Sequence, residues 1–350
     1  MAEQILMEKI NNLKIRQFDA KMANEEEWEK LHTFRKAYAL EDDPTEPVSS
    51  DKTIEKIYIQ DIDHPEAEIH TLAIYDEEKD QQIGELEYNI IKETSESYKG
   101  NEHICGFNIK LLSAYINKEN YQFLLKIIKI FAKEKEKTIL ISGTHRKSVR
   151  TLFKEFGGLE VLSGKDNRLE IDDIDCSILK NWILEDNECQ KLKFYEKIPE
   201  EIIEEYCRVY TETMNQQPME SLDISDIIIK PVLYRQMEKQ FEALERKWIT
   251  GIIFFEGKIA GLTEIRYNPD KKNFMEQLLT GVKNEYRGKG FGKWLKAAMI
   301  KKVIEDFPDV KIIKTSNATS NAPMLSINDR LGFKLFRESY LVQIPVEKIV

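Results

Sequence analysis

Beyond position 150 the sequence has no histidine, since all five (His32, His64, His70, His103 and His145) precede it. Acid–base chemistry in the carboxy-terminal half must therefore use carboxylate, tyrosine, lysine, cysteine or an ordered water, and no histidine can bind a metal there. Cysteine is nearly as sparse: Cys105, Cys176, Cys189 and Cys207 stand far apart without a Cys-x-x-Cys pair. That spacing argues against a zinc ribbon and for reduced thiols, and no metal is expected. No window of 18 uninterrupted apolar residues occurs, and the first twenty residues mix charged and apolar positions without a hydrophobic centre. Neither a membrane span nor a secretory leader is expected, and the cytoplasm is the expected compartment. Positive charge is in deficit, with 52 Lys and Arg against 62 Asp and Glu for a formal net charge of −10. Such a surface repels nucleic acid and anionic membranes, so neither is an expected partner, and an anionic ligand needs a local basic patch.

At 350 residues, 41% of them hydrophobic, the chain is long enough for two domains with ordinary cores. An internal comparison divides it. Gly84-Glu85-Leu86-Glu87-Tyr88-Asn89 resembles Gly261-Leu262-Thr263-Glu264-Ile265-Arg266-Tyr267-Asn268, Gly106 answers Gly281, Ser142 answers Ser316 and Phe156-Gly157 answers Leu331-Gly332, all at separations of 174–177 residues. Two halves of similar build are expected, 1–172 and 190–350. The join, 173–189, is acidic with a helical pattern around Ile178, Leu179, Trp182 and Ile183. In the second half the pattern predicts helices over 200–214 and 234–245, a hairpin of 248–255 and 259–267 turning at Glu256-Gly257-Lys258, and a strand over 277–282. A helix over 289–306, a strand over 310–315, a short helix over 322–330 and a last strand over 336–344 follow.

The stretch richest in chemistry is Arg287-Gly288-Lys289-Gly290-Phe291-Gly292, which follows an apolar strand ending Leu279-Thr280-Gly281-Val282 and opens a helix. A helix amino terminus offers unpaired amides and the positive end of its dipole, so it suits phosphate. Arg287, Lys289, Lys293, Lys296, Lys301 and Lys302 add charge, with no acid between 287 and 302. The alternative is a solvated basic helix after a glycine turn. Spacing excludes two other phosphate frames: there is no Gly-Lys-Ser/Thr, and the glycines alternate rather than following Gly-x-Gly-x-x-Gly.

This segment resembles the Arg/Gln-x-x-Gly-x-Gly/Ala motif of the GCN5-related N-acetyltransferases (GNAT), and the likeness continues through Thr315, Asn317, Asn321 and Met324 to Leu331-Gly332-Phe333. It implies an α/β fold of two tandem GNAT-like domains, each a mixed, mostly antiparallel sheet flanked by helices, as in two-domain members that include mycothiol synthase. It also implies acetyl-CoA as cosubstrate and an amine-bearing small molecule or peptide as acceptor. The amides of the loop from Arg287 to Gly292 would hold the pyrophosphate. Leu279, Thr280, Gly281 and Val282 would hold pantetheine and the acetyl carbonyl, and Asn317 and Asn321 would line the pantetheine arm. Asn321 is equally a good helix N-cap before Ala322-Pro323.

Glu264, on the neighbouring strand, is the implied base, with a salt-bridged or solvated strand glutamate as the alternative. Many members carry a tyrosine as general acid where this chain has Asn328, so Tyr340, Tyr286 or water is left to protonate the thiolate. In the first half the loop should fall over 114–122, which has no glycine, so that half is expected to lack the cofactor grip. The segment 214–219 is expected to cover the acceptor pocket. Two other functions fit the same features: a non-catalytic acetyl-CoA sensor or interaction protein, and transfer of a larger acyl group or to a hydroxyl.

Overall fold

The computed structural model describes residues 13–349; the first twelve positions of the stretch read for a leader, and residue 350, lie outside the described residues. In chain order the elements are β1 (Leu13–Gln17), α1 (Glu25–Asp42), α2 (Asp51–Ile62), β2 (Ala67–Asp76), β3 (Gln81–Ile91), β4 (Ile104–Leu111), α3 (Lys118–Glu134), β5 (Ile139–Thr144), α4 (Lys147–Glu155) and β6 (Leu159–Glu170). After α5 (Cys176–Trp182) and β7 (Gln190–Tyr195) come α6 (Ile203–Asn215), α7 (Pro231–Ala243), β8 (Lys247–Phe255), β9 (Lys258–Tyr267), β10 (Phe274–Val282), α8 (Phe291–Asp306), β11 (Ile312–Ala318), α9 (Ala322–Leu331) and β12 (Lys334–Pro345). The two series repeat the same build, as the internal comparison predicts.

The chain forms two compact units, but not by simple halves. One unit comprises the described residues to Leu162, Ser221–Ser225 and the chain from Ser339; the other comprises Ser163–Glu220 and Asp226–Glu338. The difference from 1–172 and 190–350 comes from the last strand of each repeat. Residues 164–170 of β6 pair antiparallel with β11, Gly164 opposite Ala318 and Glu170 opposite Ile312. Residues 340–345 of β12 pair with β5, Tyr340 opposite Thr144 and Pro345 opposite Ile139. Each repeat therefore supplies the strand that closes the other's sheet. Apolar pattern alone could not foresee this, because either edge would bury Val342 and Ile344 or Leu169 equally well.

Each sheet is mostly antiparallel with one parallel pair, β4 with β5 and β10 with β11. In the carboxy-terminal unit, β8 and β9 form a hairpin whose two turn residues, Glu256 and Gly257, both have positive φ (50° and 79°), the twist that a two-residue connection needs. Helix α8 is buried on two sides. Phe291, Trp294, Leu295 and Ala298 pack with Ile253 and Ala260, while Met299, Ile300 and Val303 pack with Ile249, Ile265 and Met275. Helices α6 and α7 contribute Tyr206, Tyr210 and Tyr234 to a separate cluster with Trp248, Ile252 and Leu262. Helix α9 stops at Gly332, which sits at φ 95°, and the Phe333 amide donates to the Asn328 carbonyl at 3.0 Å. That left-handed closure explains the Leu-Gly-Phe ending.

Candidate active site

Strand β10 binds its two neighbours differently along its length. It pairs with β11 only through Phe274↔Ile312, Met275↔Ile313 and Glu276↔Lys314, after which β11 continues along β6. From residue 277 on, β10 and β11 diverge, and their facing backbone groups are open to a ligand that runs between them. On its other side β10 pairs with β9, but the register shifts between Gln277↔Ile265 and Thr280↔Thr263. Leu278 and Leu279 thus stand opposite Glu264 alone, a β-bulge of the sort that re-aims backbone groups beside active sites. Side chains pin it: Gln277 Nε2 donates to Thr263 Oγ1 and to the Glu264 carbonyl, each at 2.9 Å, and the Thr263 and Thr280 hydroxyls lie 2.7 Å apart.

Past Val282 the chain makes a short turn into α8. Gly288 and Gly290 have φ of 81° and 84°, and a Cβ at either would meet nothing within 4 Å. The backbone conformation demands glycine there, and the open space leaves room for a pyrophosphate against the helix. Gly290 is the N-cap of α8, and no side chain caps the helix, so its first amides stay available to an anion. Arg287 is tethered on both sides, Nε to the Val282 carbonyl at 3.3 Å and Nη2 to Gln216 Oε1 at 2.7 Å.

The expected basic cluster is smaller than the sequence implies. Lys301 and Lys302 pair with Glu305 and Asp306 at the far end of α8, and Lys296 is buried in the interior. Arg287, Lys289 and Lys293 remain around the loop. Lys293 lies 5.6 Å from the Trp182 ring centroid, and Lys289 4.9 Å from that of Phe255.

Glu264 projects toward α6 and α7 and is fully buried. Its Oε1 accepts from the Tyr206 hydroxyl at 2.8 Å, the Tyr206 and Tyr234 hydroxyls are 3.1 Å apart, and Oε2 has no hydrogen-bond partner among the described residues. Burial pushes the carboxyl up to about 7, against the downward pull of Tyr206, Arg266, Trp248 and Tyr210. This environment is neither the solvated nor the salt-bridged one of the bland alternative.

Helix α6 presses closely on the bulged strand. A Cβ at Gly281 would stand 2.4 Å from the Thr213 Cβ, and Thr213 is itself buried, its hydroxyl bonded to the Val209 and Tyr210 carbonyls. Gly281→Ala should therefore force α6 outward and cost about 1–3 kcal/mol, read as a lowered urea midpoint at unchanged slope. An undiminished midpoint would refute this packing argument.

Asn321 accepts from the Met324 amide at 3.3 Å, so the cap role is real. Asn328 is buried and donates from Nδ2 to Asn317 Oδ1 at 2.7 Å, which places Asn317 and Asn328 side by side. Segment 214–219 begins inside α6; beyond the helix Gln216 meets Arg287, and Glu220, one residue past the segment, accepts from the Ser320 hydroxyl at 2.8 Å. Through the strand exchange Tyr340 folds with the amino-terminal unit, its ring 3.7 Å from the Arg150 guanidinium. Among the described residues no group of three or more His, Cys, Asp and Glu could hold a metal ion.

The amino-terminal unit repeats the divergence without the rest. Strands β4 and β5 pair only from Ile104↔Ile139 to Gly106↔Ile141, yet β3 and β4 keep an unbroken register from Gly84↔Leu111 to Asn89↔Gly106. By these pairings Leu111 answers Val282, and the match of Gly106 with Gly281 is out of register. Helix α3 is capped by the Asn117 side chain, and Arg146 Nη1 donates to the Leu111 carbonyl at 3.1 Å.

Sequence reasoning missed the bulge, its Gln277 pin and the tyrosines around Glu264. Tyr206, Tyr210 and Thr213 at helical spacing on one face were the available signal.

Diverging parallel strands, a bulged neighbour and a glycine-initiated helix are the frame of an acyltransferase that takes an acyl-CoA and an acceptor. Residues 203–333 match the model of the acetyltransferase (GNAT) family, and the fold of the whole chain is that of tandem GNAT proteins. Its fold is similar to that of a tandem GNAT protein from the clavulanic acid biosynthesis pathway, solved without acetyl-CoA (16% identity, 95% of this chain and 98% of that one, TM-score 0.74). A GCN5-related N-acetyltransferase from Sphaerobacter thermophilus matches 96% of each chain at 11% identity and TM-score 0.63. The Saccharomyces cerevisiae N-myristoyltransferase, solved with myristoyl-CoA, matches 99% of this chain and 82% of that one at 10% identity and TM-score 0.58. No curated protein matches the sequence. Among the described residues no helix is long and apolar enough to cross a membrane.

Proposed function

We propose that the protein is an N-acetyltransferase that moves the acetyl group of acetyl-CoA to a primary amine of a small molecule or peptide, with its one working site in the carboxy-terminal unit. The observation that carries this reading is the placement of Glu264 opposite the bulge at Leu278 and Leu279. Acetyl-CoA supplies an activated thioester. The amides of Phe291 and Gly292 and the charges of Arg287, Lys289 and Lys293 would hold its pyrophosphate. The diverging backbones of Leu279, Thr280, Gly281 and Val282, with Asn317 and Asn321 across from them, would hold pantetheine, and the bulged amides would polarise the carbonyl.

Glu264, with a carboxyl near 7, takes the proton of the incoming amine. Asn328 cannot deliver a proton to the thiolate; its amide can only donate a hydrogen bond. The amino-terminal unit, with an unbroken β4 register, a capped α3 and Arg146 on the Leu111 carbonyl, is read as a degenerate copy without a cofactor site. The cytoplasm is the proposed location.

The test is release of free coenzyme A from acetyl-CoA in the presence of a panel of amines, with hydroxyl acceptors and longer acyl-CoAs as parallel arms. Amine-dependent thiol release is expected. Release only with hydroxyl acceptors or only with longer acyl groups would replace the proposed reaction. Gly290→Val should raise the KM for acetyl-CoA more than about tenfold, since a β-branched residue resists positive φ and occupies the loop's open side. An unchanged KM would remove the loop from the site.

A further inference from the structure

Glu264 has no exposed surface, so an amine held over the bulge must reach it through another group. Three hydroxyls surround the carboxyl. Tyr206 is fully buried and spends its proton on Oε1, and Tyr234, 1% exposed, is joined to Tyr206. Tyr210 differs: it keeps 6% exposure, the most of the three, and its ring packs 5.9 Å from that of Tyr206 and 6.0 Å from that of Tyr234, beside the carboxylate oxygen that Tyr206 leaves open. Its position along α6 is decisive. Tyr206, one turn before, meets Glu264, and Thr213, one turn after, touches Gly281, so Tyr210 stands over the intervening bulge. Leu279 of the bulge packs against the cluster that contains Tyr210.

We propose that Tyr210 relays the proton from the acceptor amine to Glu264, a step that rests on the reading of Glu264 as the base. The Tyr210 oxygen accepts a proton from the amine nitrogen while its own O–H bond gives its proton to the carboxylate oxygen left open by Tyr206. The amine loses one proton, Glu264 gains one, and the tyrosine is regenerated. The groups facing Glu264 are Tyr206 and Tyr210 from α6, Tyr234 from α7, Trp248 from β8 and Arg266 along β9. Arg266 is the sole full charge among them, and it favours the carboxylate.

The experiment compares Tyr210→Phe with Tyr234→Phe, which removes a hydroxyl from the same cluster. Steady-state pH profiles are recorded on the full-length protein with acetyl-CoA and an amine that supports turnover. Tyr210→Phe should lower kcat on the alkaline plateau by about 10- to 100-fold, leave the KM for acetyl-CoA within about twofold, and move the acidic limb to higher pH. Tyr234→Phe, whose hydroxyl reaches Glu264 only through Tyr206, should lose clearly less of the plateau than Tyr210→Phe. A Tyr210→Phe plateau within twofold of the parent overturns the relay, and so do equal losses in both variants, which would mark a packing effect. The outcome for Glu264→Gln separates the two readings: an impaired Glu264→Gln beside an active Tyr210→Phe removes the relay alone, whereas an active Glu264→Gln removes the base and the relay together.

Discussion

Glu264→Gln should reduce kcat by about 10²- to 10⁴-fold while leaving the KM for acetyl-CoA close to its original value, because the substitution removes a proton acceptor without touching the glycine loop. The parent enzyme should show an acidic limb near pH 7, where the buried carboxyl titrates, with activity rising as the carboxylate forms. In Glu264→Gln that limb should vanish along with most of the rate. Stability should move oppositely. A carboxyl whose folded pKa lies above the ordinary 4.5 favours the folded state at low pH and loses that contribution as pH rises through about 7. Glutamine, uncharged at every pH, escapes this loss, so the variant should gain stability relative to the parent between pH 5 and 8. Full turnover at all pH values would eliminate Glu264 as the base.

The features legible in the sequence are those that local chemistry dictates. Positive φ at Gly288, Gly290 and Gly332 is encoded by glycine itself, the hairpin at Glu256-Gly257 by its turn, and α9 by Asn321 ahead of Ala322-Pro323. Features that depend on distant pairing were hidden. The bulge at Leu278 and Leu279 leaves no mark in a run of apolar residues, and it becomes visible only when Gln277 is seen bonded to Thr263 and the Glu264 carbonyl. The exchange of β6 and β12 is invisible for the same reason, and with it the pairing of Tyr340 with Thr144. Lys296 failed differently: charge counting placed it with the phosphate cluster, but α8 is covered on two sides and carries that position inward.

Lys296→Met should raise stability markedly, and by an amount that depends on pH. The lysine is 1% exposed, and burial alone lowers its pKa from 10.5 to about 7. The Phe333 ring, 5.5 Å from Nζ, offsets part of the lost hydration of the charged form. Between pH 7 and 10.5 the unfolded chain binds this proton and the folded chain does not, so stability rises with pH across that window and the penalty is complete below it. A depression of this size corresponds to about 5 kcal/mol, at a precision of about one pKa unit. Methionine, of similar length and without charge, should recover about that amount in urea melts at pH 6 and little at pH 10.5. An equal gain at both pH values would mean that packing rather than desolvation governs the site, and a loss at pH 6 would mean that the ammonium is satisfied where it lies. Glu264 and Lys296 act in opposite directions with pH, the first losing stability up to about 7 and the second regaining it beyond, so together they place a minimum of stability near neutrality. Glu264 owes its proposed basicity at that pH to the same desolvation, so the instability and the chemistry share one cause, whereas Lys296→Met should remove its part of the minimum and leave the acidic limb of the rate profile in place.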